Sequence, residues 1–266
     1  ITGEGGSEVD DGGVGALAGY LEQTSSSTTA KVENVSVSGN VTATGSGYNA
    51  GGLVGFSQGG DHGDAFGPTL DNQNVFTGNL TAEEIEQVGG IVGRSNYGTD
   101  VGIGYVQAEI DGGEKVGGIV GHSSGRASTF ESLYFAGNVT GSDAGAIVGL
   151  VGASGDEFKS SVYWDEDLET DGFGNNDNGG TVDMTGLTTT EIQGSSAESN
   201  TNLDFENTWN TVADDYPVFQ WEANAAGEGS VHGIEAFNVS EYATGQNQIR
   251  VRATDEFGTT VSGETI

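Results

Sequence analysis

Short apolar runs separated by glycine and polar residues recur along the first 155 residues, and their spacing predicts strands rather than helices. Five of these runs share one pattern: Val14-Gly-Ala-Leu-Ala-Gly19, Ala50-Gly-Gly-Leu-Val-Gly55, Val88-Gly-Gly-Ile-Val-Gly93, Val116-Gly-Gly-Ile-Val-Gly121 and Ala144-Gly-Ala-Ile-Val-Gly149. Their last glycines lie 36, 38, 28 and 28 residues apart. A second run recurs beyond a polar turn, as Val32-Glu-Asn-Val-Ser-Val-Ser-Gly-Asn-Val-Thr42, Leu70-Asp-Asn-Gln-Asn-Val-Phe-Thr-Gly-Asn-Leu-Thr81 and Phe130-Glu-Ser-Leu-Tyr-Phe-Ala-Gly-Asn-Val-Thr140. A degenerate copy runs through Tyr105-Val-Gln-Ala-Glu-Ile110. Val, Ile, Leu, Phe and Tyr at period two suit strands, and Gly, Asn, Asp and Ser mark the corners.

A unit of about 28 residues with three short apolar segments predicts one three-sided turn of a parallel β-solenoid. One turn cannot bury its own inward face, so stacking has to supply the neighbours. The fold class expected is therefore all-β, a solenoid of about five turns. At ~4.8 Å per strand those turns make a rod about 24 Å long. Insertions at 25–30 and 59–67 account for the two longer spacings. The paired glycines either bend the chain at corners or let successive backbones approach closely, with Ile119 and its equivalents pointing inward.

The V-G-G-[LI]-V-G unit with its x-G-N-V-T strand resembles the GLUG repeat of bacterial and archaeal surface proteins, adhesin-like proteins and some large surface peptidases. The resemblance covers about residues 14–155. The first copy departs from it at Ala16 and Ala18 and the fifth at Ala146, as terminal, capping repeats often do. It implies architecture and a surface location, and it transfers no catalytic residue.

Past the repeats, Ser160-Ser-Val-Tyr-Trp-Asp165, Gly186-Leu-Thr-Thr-Thr-Glu191, Phe205, Trp209 and Tyr216-Pro-Val-Phe-Gln-Trp221 resemble the tail that closes GLUG arrays. All three Trp fall between residues 164 and 221. This aromatic-rich segment is expected to fold over the solenoid's open end and blunt its strand edge. A short helical turn is expected over 188–193. From about residue 227, Ile234-Glu-Ala-Phe-Asn-Val-Ser240 and Gln248-Ile-Arg-Val-Arg-Ala-Thr254 read as strands of a C-terminal partial Ig-like β-sandwich segment. Forty residues are too few for a whole sandwich. The segments expected are thus 1–13, an N-terminal segment; 14–174, the solenoid; 175–226, the cap; and 227–266, the Ig-like piece.

Charge changes the picture of where such a chain works. It holds 40 Asp and Glu against 7 Lys and Arg, a formal charge of −33 dispersed over 266 residues. Repulsion of that size disfavours a compact domain in dilute buffer, whereas molar salt shortens the Debye length to roughly 3 Å and screens it. A dispersed acidic surface with three Lys resembles proteins of halophilic archaea; an acidic mesophilic surface protein is the alternative. With no basic stripe to meet phosphates, nucleic acid is excluded as a partner. No apolar run reaches the ~18–20 residues that span a bilayer, so no membrane span is expected in this chain. The partners expected are a cell-surface or extracellular protein or glycan, or a second copy. Sequons at Asn34, Asn40, Asn79, Asn138 and Asn238 permit glycosylation if the chain is exported.

Candidate chemistry is sparse. There is no Cys, and the three histidines are His62, His122 and His232. His122 stands where other repeats place Tyr20, Phe56, Arg94 and Leu150, which suggests corner decoration. Asp61, His62 and Asp64 form either a divalent-metal loop or a solvated acidic one. Asp165, Asp167, Glu169 and Asp171, followed by Asn175-Asn-Asp-Asn178, are the densest oxygen donors. Read from Asp167 the spacing partly mimics a calcium loop, so a structural Ca²⁺ site competes with a salt-adapted loop; Asn178 stands where such a loop needs a bidentate Glu. No catalytic residue is nominated, since among 40 acids some pair meets any glycosidase distance. The function expected is a non-catalytic surface protein for adhesion or cell-surface structure, with a filament subunit as one form. A polysaccharide-binding or polysaccharide-degrading solenoid and an accessory domain of a surface peptidase are the alternatives. The glycan reading requires exposed aromatics on one face, with Tyr97, Tyr105 and Tyr134 as candidates.

Overall fold

The computed structural model describes residues 2–4, 12–25, 27, 29–60, 67–125, 128–225, 234–236 and 251–253. The chain is all-β, with parallel sheets wound as in a β-solenoid or β-helix. Among the described residues three parallel sheets recur in rotation. The long face runs Thr2–Glu4, Val41–Thr44, Asn74–Ala82, Asp100–Gly112, Thr129–Thr140, Glu157–Phe158 and Thr181–Val182, and is widened by Val162–Asp165 and Thr185–Leu187. The second sheet joins Val14–Gly15, Gly47–Gly51, Ile85–Gly89, Lys115–Gly117 and Asp143–Gly145. The third joins Ala18–Glu22, Val54–Gln58, Val92–Asn96, Val120–Ser124, Val148–Val151 and Phe173–Asn176. Parallel pairing thus continues past residue 174, because Phe173 pairs with Val148 and Thr185 with Tyr163.

The repeat motif is the arc between the second and third sheets, and its copies stack in register. Val14, Ala50, Val88, Val116 and Ala144 form one column. Leu53, Ile91, Ile119 and Ile147 form the next, all fully buried. Each fully buried side chain of this size contributes about 1.5–3 kcal/mol. In the three middle copies the second glycine of the motif is required by a close approach. A Cβ on Gly118 would lie 2.0 Å from the Ala146 carbonyl oxygen and 2.4 Å from the Phe135 ring. A Cβ on Gly90 would meet Gly118 O at 2.2 Å and Val106 at 2.7 Å. The glycines therefore let the arc close against its neighbour in the stack while the long face lays Phe76, Val106 and Phe135 over it.

The long face bends at one column. Asn34, Gln73, Ile103 and Ser132 occupy it, with φ of 56, 50, 43 and 55°. Asn tolerates this left-handed backbone, but a β-branched Ile is strained by it.

After the last parallel strands the chain forms helices Thr189–Ile192 and Ser196–Asn200, the antiparallel hairpin Trp209–Val212 with Asp215–Phe219, and helix Gln220–Ala225. The first of these is the short turn expected over 188–193. Its start is fixed by Glu191, whose carboxylate accepts from Thr188 N at 2.9 Å. The placement of this segment differs from the expectation. It lies along the outer flank of the long face, packing Leu203, Trp209 and Phe219 on Val75, Tyr105, Tyr134 and Tyr163, rather than over the coil's end. The outward tyrosines give it a large apolar surface to bury there. Farther on, Ile234–Ala236 pairs antiparallel with Val251–Ala253. The rest of the expected Ig-like piece lies outside the described residues, as does most of the insertion at 59–67.

Candidate functional site

Alternation along the long face sends every second side chain outward, and parallel register stacks those side chains into columns. The first outward column is Val75, Tyr105, Tyr134 and Tyr163. The Tyr105 and Tyr134 rings stack at 5.0 Å and 1° between planes. Trp209 lies across both, at 6.1 and 5.6 Å. Each hydroxyl is bound by the C-terminal segment. Tyr105 donates to Glu222 at 2.8 Å, Tyr134 donates to the Pro217 carbonyl at 2.6 Å, and Tyr163 accepts from Asn202 N at 2.7 Å. Burial, reinforced by the Glu222 carboxylate, pushes the Tyr105 phenol well above its ordinary value, and burial does the same at Tyr134. Tyr105 and Tyr134 are therefore covered and do not form an open aromatic platform. Tyr97 is half-buried in a left-handed corner at φ 55°.

Two columns farther along the same strands, the flank is open. Asn40, Asn79, Glu109 and Asn138 share one register position, and Thr42, Thr81, Asp111 and Thr140 share another. The three asparagines and Glu109 are exposed. Asn40 Oδ1 accepts from Asn79 N at 3.2 Å, and Asn138 Nδ2 donates to both Glu109 oxygens at 3.1 and 3.2 Å. Three of the five sequons thus stand in one exposed row, at one rung or a whole number of rungs of ~4.8 Å. Asn34 sits exposed in the left-handed bend. Asn238, like His232, lies outside the described residues.

The acidic loop serves the junction between coil and flank segment. Asp165 is 1 % exposed and accepts from Asp167 N at 3.0 Å, Thr189 Oγ1 at 2.7 Å and Tyr216 OH at 2.5 Å. Asp167 accepts from Thr189 N at 2.9 Å, and Glu169 from Val139 N at 3.4 Å. Asp171 is exposed, and its carbonyl accepts from Ala146 N at 2.7 Å. Among the described residues no group of three or more His, Cys, Asp or Glu is arranged to hold a metal ion. Asp61, His62 and Asp64 lie outside the described residues.

His122 does occupy the column of Tyr20, Phe56, Arg94 and Leu150. It is more enclosed than a corner decoration would be: its Nδ1 lies 3.1 Å from Gln87 Oε1. Burial, with help from the Arg94 and Lys115 charges, lowers it to about 3, so the ring is neutral at ordinary pH. Lys115 itself is held by Glu86 and Glu114.

A buried hydroxyl ladder escaped the sequence reading. Ser57, Ser95 and Ser123 pair in register inside the corner between the third sheet and the long face. Ser57 Oγ lies 3.0 Å from Thr99 Oγ1, and Ser95 Oγ lies 3.2 Å from Ser128 Oγ. Beyond them stands Asp156, 1 % exposed, accepting from Ser128 N at 3.1 Å and Ala153 N at 3.3 Å. Burial raises its carboxyl to about 6. The signal was present: each serine follows the last glycine of its repeat by two positions.

No helix among the described residues is long and apolar enough to cross a membrane. No family model matches the chain, and neither does any curated protein or solved structure. The GLUG resemblance therefore rests on the repeated residues themselves, and the architecture that stands without it is a parallel, all-β coil.

Proposed function

We propose that the chain is a non-catalytic extracellular module of a cell surface, serving adhesion or surface structure in a high-salt setting. The observation that carries this reading is the open row of Asn40, Asn79 and Asn138, beside Thr42, Thr81 and Thr140, on a rigid parallel face. Regular polar side chains at ~4.8 Å intervals suit contact with an extracellular glycan or protein, and the asparagines suit glycosylation. The winding is taken as about five three-sided GLUG-type turns, and the strand pair at 234–236 and 251–253 as part of an Ig-like module. The charge of −33 supports a halophilic archaeal source. In this reading Asp165, Asp167 and Glu169 are structural anchors of the flank segment.

The test is impermeant labelling of intact source cells at native salt, followed by mass spectrometry of the chain. Labelled chain with glycan mass on peptides holding Asn40, Asn79 or Asn138 is the expected result. Chain protected from label until lysis would overturn the surface reading. The second reading, polysaccharide binding, loses Tyr105 and Tyr134 as a platform to the C-terminal segment and keeps only the same polar row; a glycan array in molar NaCl with no binding would remove it.

A further inference from the structure

We propose that the two ends of the third sheet are complementary, and that copies of this chain stack head to tail through them into an open filament. The inference rests on the surface-module reading and names the partner as a second copy.

Among the described residues the third sheet ends in Ala18–Glu22 on one side and Phe173–Asn176 on the other. Among the described residues the large exposed apolar side chains are Leu17, Tyr20, Leu168, Phe173 and Trp221. Three of these five lie on, or immediately before, the two end strands, so apolar exposure concentrates where pairing stops. The C-terminal segment lies on the flank, and Phe173 is left 41 % exposed.

Shape alternates between the ends. One column runs Leu17, Leu53, Ile91, Ile119, Ile147 and Gly172, linked by backbone bonds of 2.9–3.3 Å. It begins in a Leu that is 48 % exposed and ends in a glycine, beside which Trp164 and Met184 make an apolar ledge. The neighbouring column runs Ala18, Val54, Val92, Val120, Val148 and Phe173, beginning small and ending large. Continuing the register from one copy into the next seats Leu17 over Gly172 and Phe173 over Ala18, a protruding side chain on a small one in both columns.

Backbone polarity selects the same arrangement. Along the arc each N–H points to the following rung: Leu17 N to Leu53 O, Ile91 N to Ile119 O and Ile147 N to Gly172 O. The ladder therefore presents the Leu17 carbonyl at one end and the Gly172 and Phe173 amides at the other. Like ends would oppose carbonyl to carbonyl; unlike ends can bond. A contact of unlike ends that does not close into a ring grows without limit. Glu22 is exposed at one end, and Asp171 and Asp177 at the other. The contact therefore requires screening, which molar salt provides.

The experiment is sedimentation velocity and electron microscopy of the 266-residue chain in dilute buffer and in molar NaCl. Expected are monomers in dilute buffer, and in salt filaments with an axial repeat of about 29 Å, from six strands of the third sheet at ~4.8 Å. Leu17→Asp and Phe173→Asp, each checked for native circular dichroism, should each abolish growth alone. Mixed together they should form a dimer and nothing longer, because each retains one working end. Monomers at every salt concentration, a closed dimer of the native chain, or filaments from either variant would overturn the stacking. A monomeric chain still labelled on cells defeats the stacking and leaves the surface reading intact; filaments of a chain never labelled defeat the surface reading alone.

Discussion

Inside the coil, aliphatic columns close on glycines that have no room for a methyl group. Between the long face and the C-terminal segment, Tyr105, Tyr134, Tyr163, Trp209 and Phe219 fill the space with large rings, the three tyrosines tethered by their hydroxyls. The first interior is specified by repetition: every arc meets a copy of itself, so one small residue satisfies five sites. The second is specified once, by contacts between residues far apart in the chain, as in the bond from Tyr134 to Pro217, 83 residues away. A repeated interior fails by steric overlap that the stack cannot relieve. A unique one fails by losing area, leaving the coil standing.

The largest break in that contrast is Gly118→Ala. With its new methyl 2.0 Å from Ala146 O, the variant should lose more than about 5 kcal/mol, beyond the usual range for one substitution. Gly45→Ala is the control: its φ is +78° and a Cβ there has open space, so it should cost only about 1–2 kcal/mol. Salt-stabilised denaturant unfolding reads both, and equal losses would refute the close-packing account.

Trp209→Ala should cost about 3–5 kcal/mol of the flank's stability and release the C-terminal segment first. Limited proteolysis checks this. Early cleavage beyond residue 187 with an intact 12–187 core is expected, whereas simultaneous digestion of both would mean that the two interiors are one cooperative unit.

Acid titration probes two enclosed groups of the coil alone. Asp156 is held at about 6 against 3.8 for an ordinary Asp, so between those values the folded chain binds more protons than the unfolded one. Its contribution is therefore lost as pH rises through that window, by about 3 kcal/mol. His122, lowered to about 3 from 6.5, has the opposite sign: the folded chain binds fewer protons, and stability falls as pH drops below 6.5. Asp156→Asn keeps one backbone acceptor, so at about pH 4 it should cost about 1 kcal/mol, and by removing its part of the slope it should move that difference by about 2 kcal/mol in the variant's favour at about pH 6.5. Unfolding at about pH 4 and about pH 6.5 in constant molar salt measures the difference; an unchanged slope would assign the pH dependence to surface acids.

The smallest effect is expected at Ile103→Asn. Asn34 already occupies that bend column, and Ile103 is held at φ 43°. Relief of strain should raise stability by up to about 1 kcal/mol, partly offset by poorer packing against the aromatic cluster that Ile103 borders. A net destabilisation above that amount would show packing to outweigh backbone strain there.

Much of the coil was legible because a repeat tests itself. Val14, Ala50, Val88, Val116 and Ala144 align by eye and pair in register, since identical rungs bury the most area without offset. The column from Tyr20 to Leu150 was legible for the same reason, although the enclosure of His122 by Gln87 was not. The acids at 165–171 read from their spacing as either a structural Ca²⁺ site or a salt-adapted loop; their bonds, from Asp165 to Tyr216 and Thr189 and from Glu169 to Val139, were not legible there.

By itself, then, the sequence determined the strands, the inward columns and the glycines on which they close, because period and size are local properties that stacking repeats. Only the tertiary structure decided which part of the outer face is covered. Tyr105 and Glu109 leave the same strand on the same side, and alternation treats them alike. The C-terminal segment buries the first and leaves the second exposed, because burial is a property of what arrives from elsewhere in the chain.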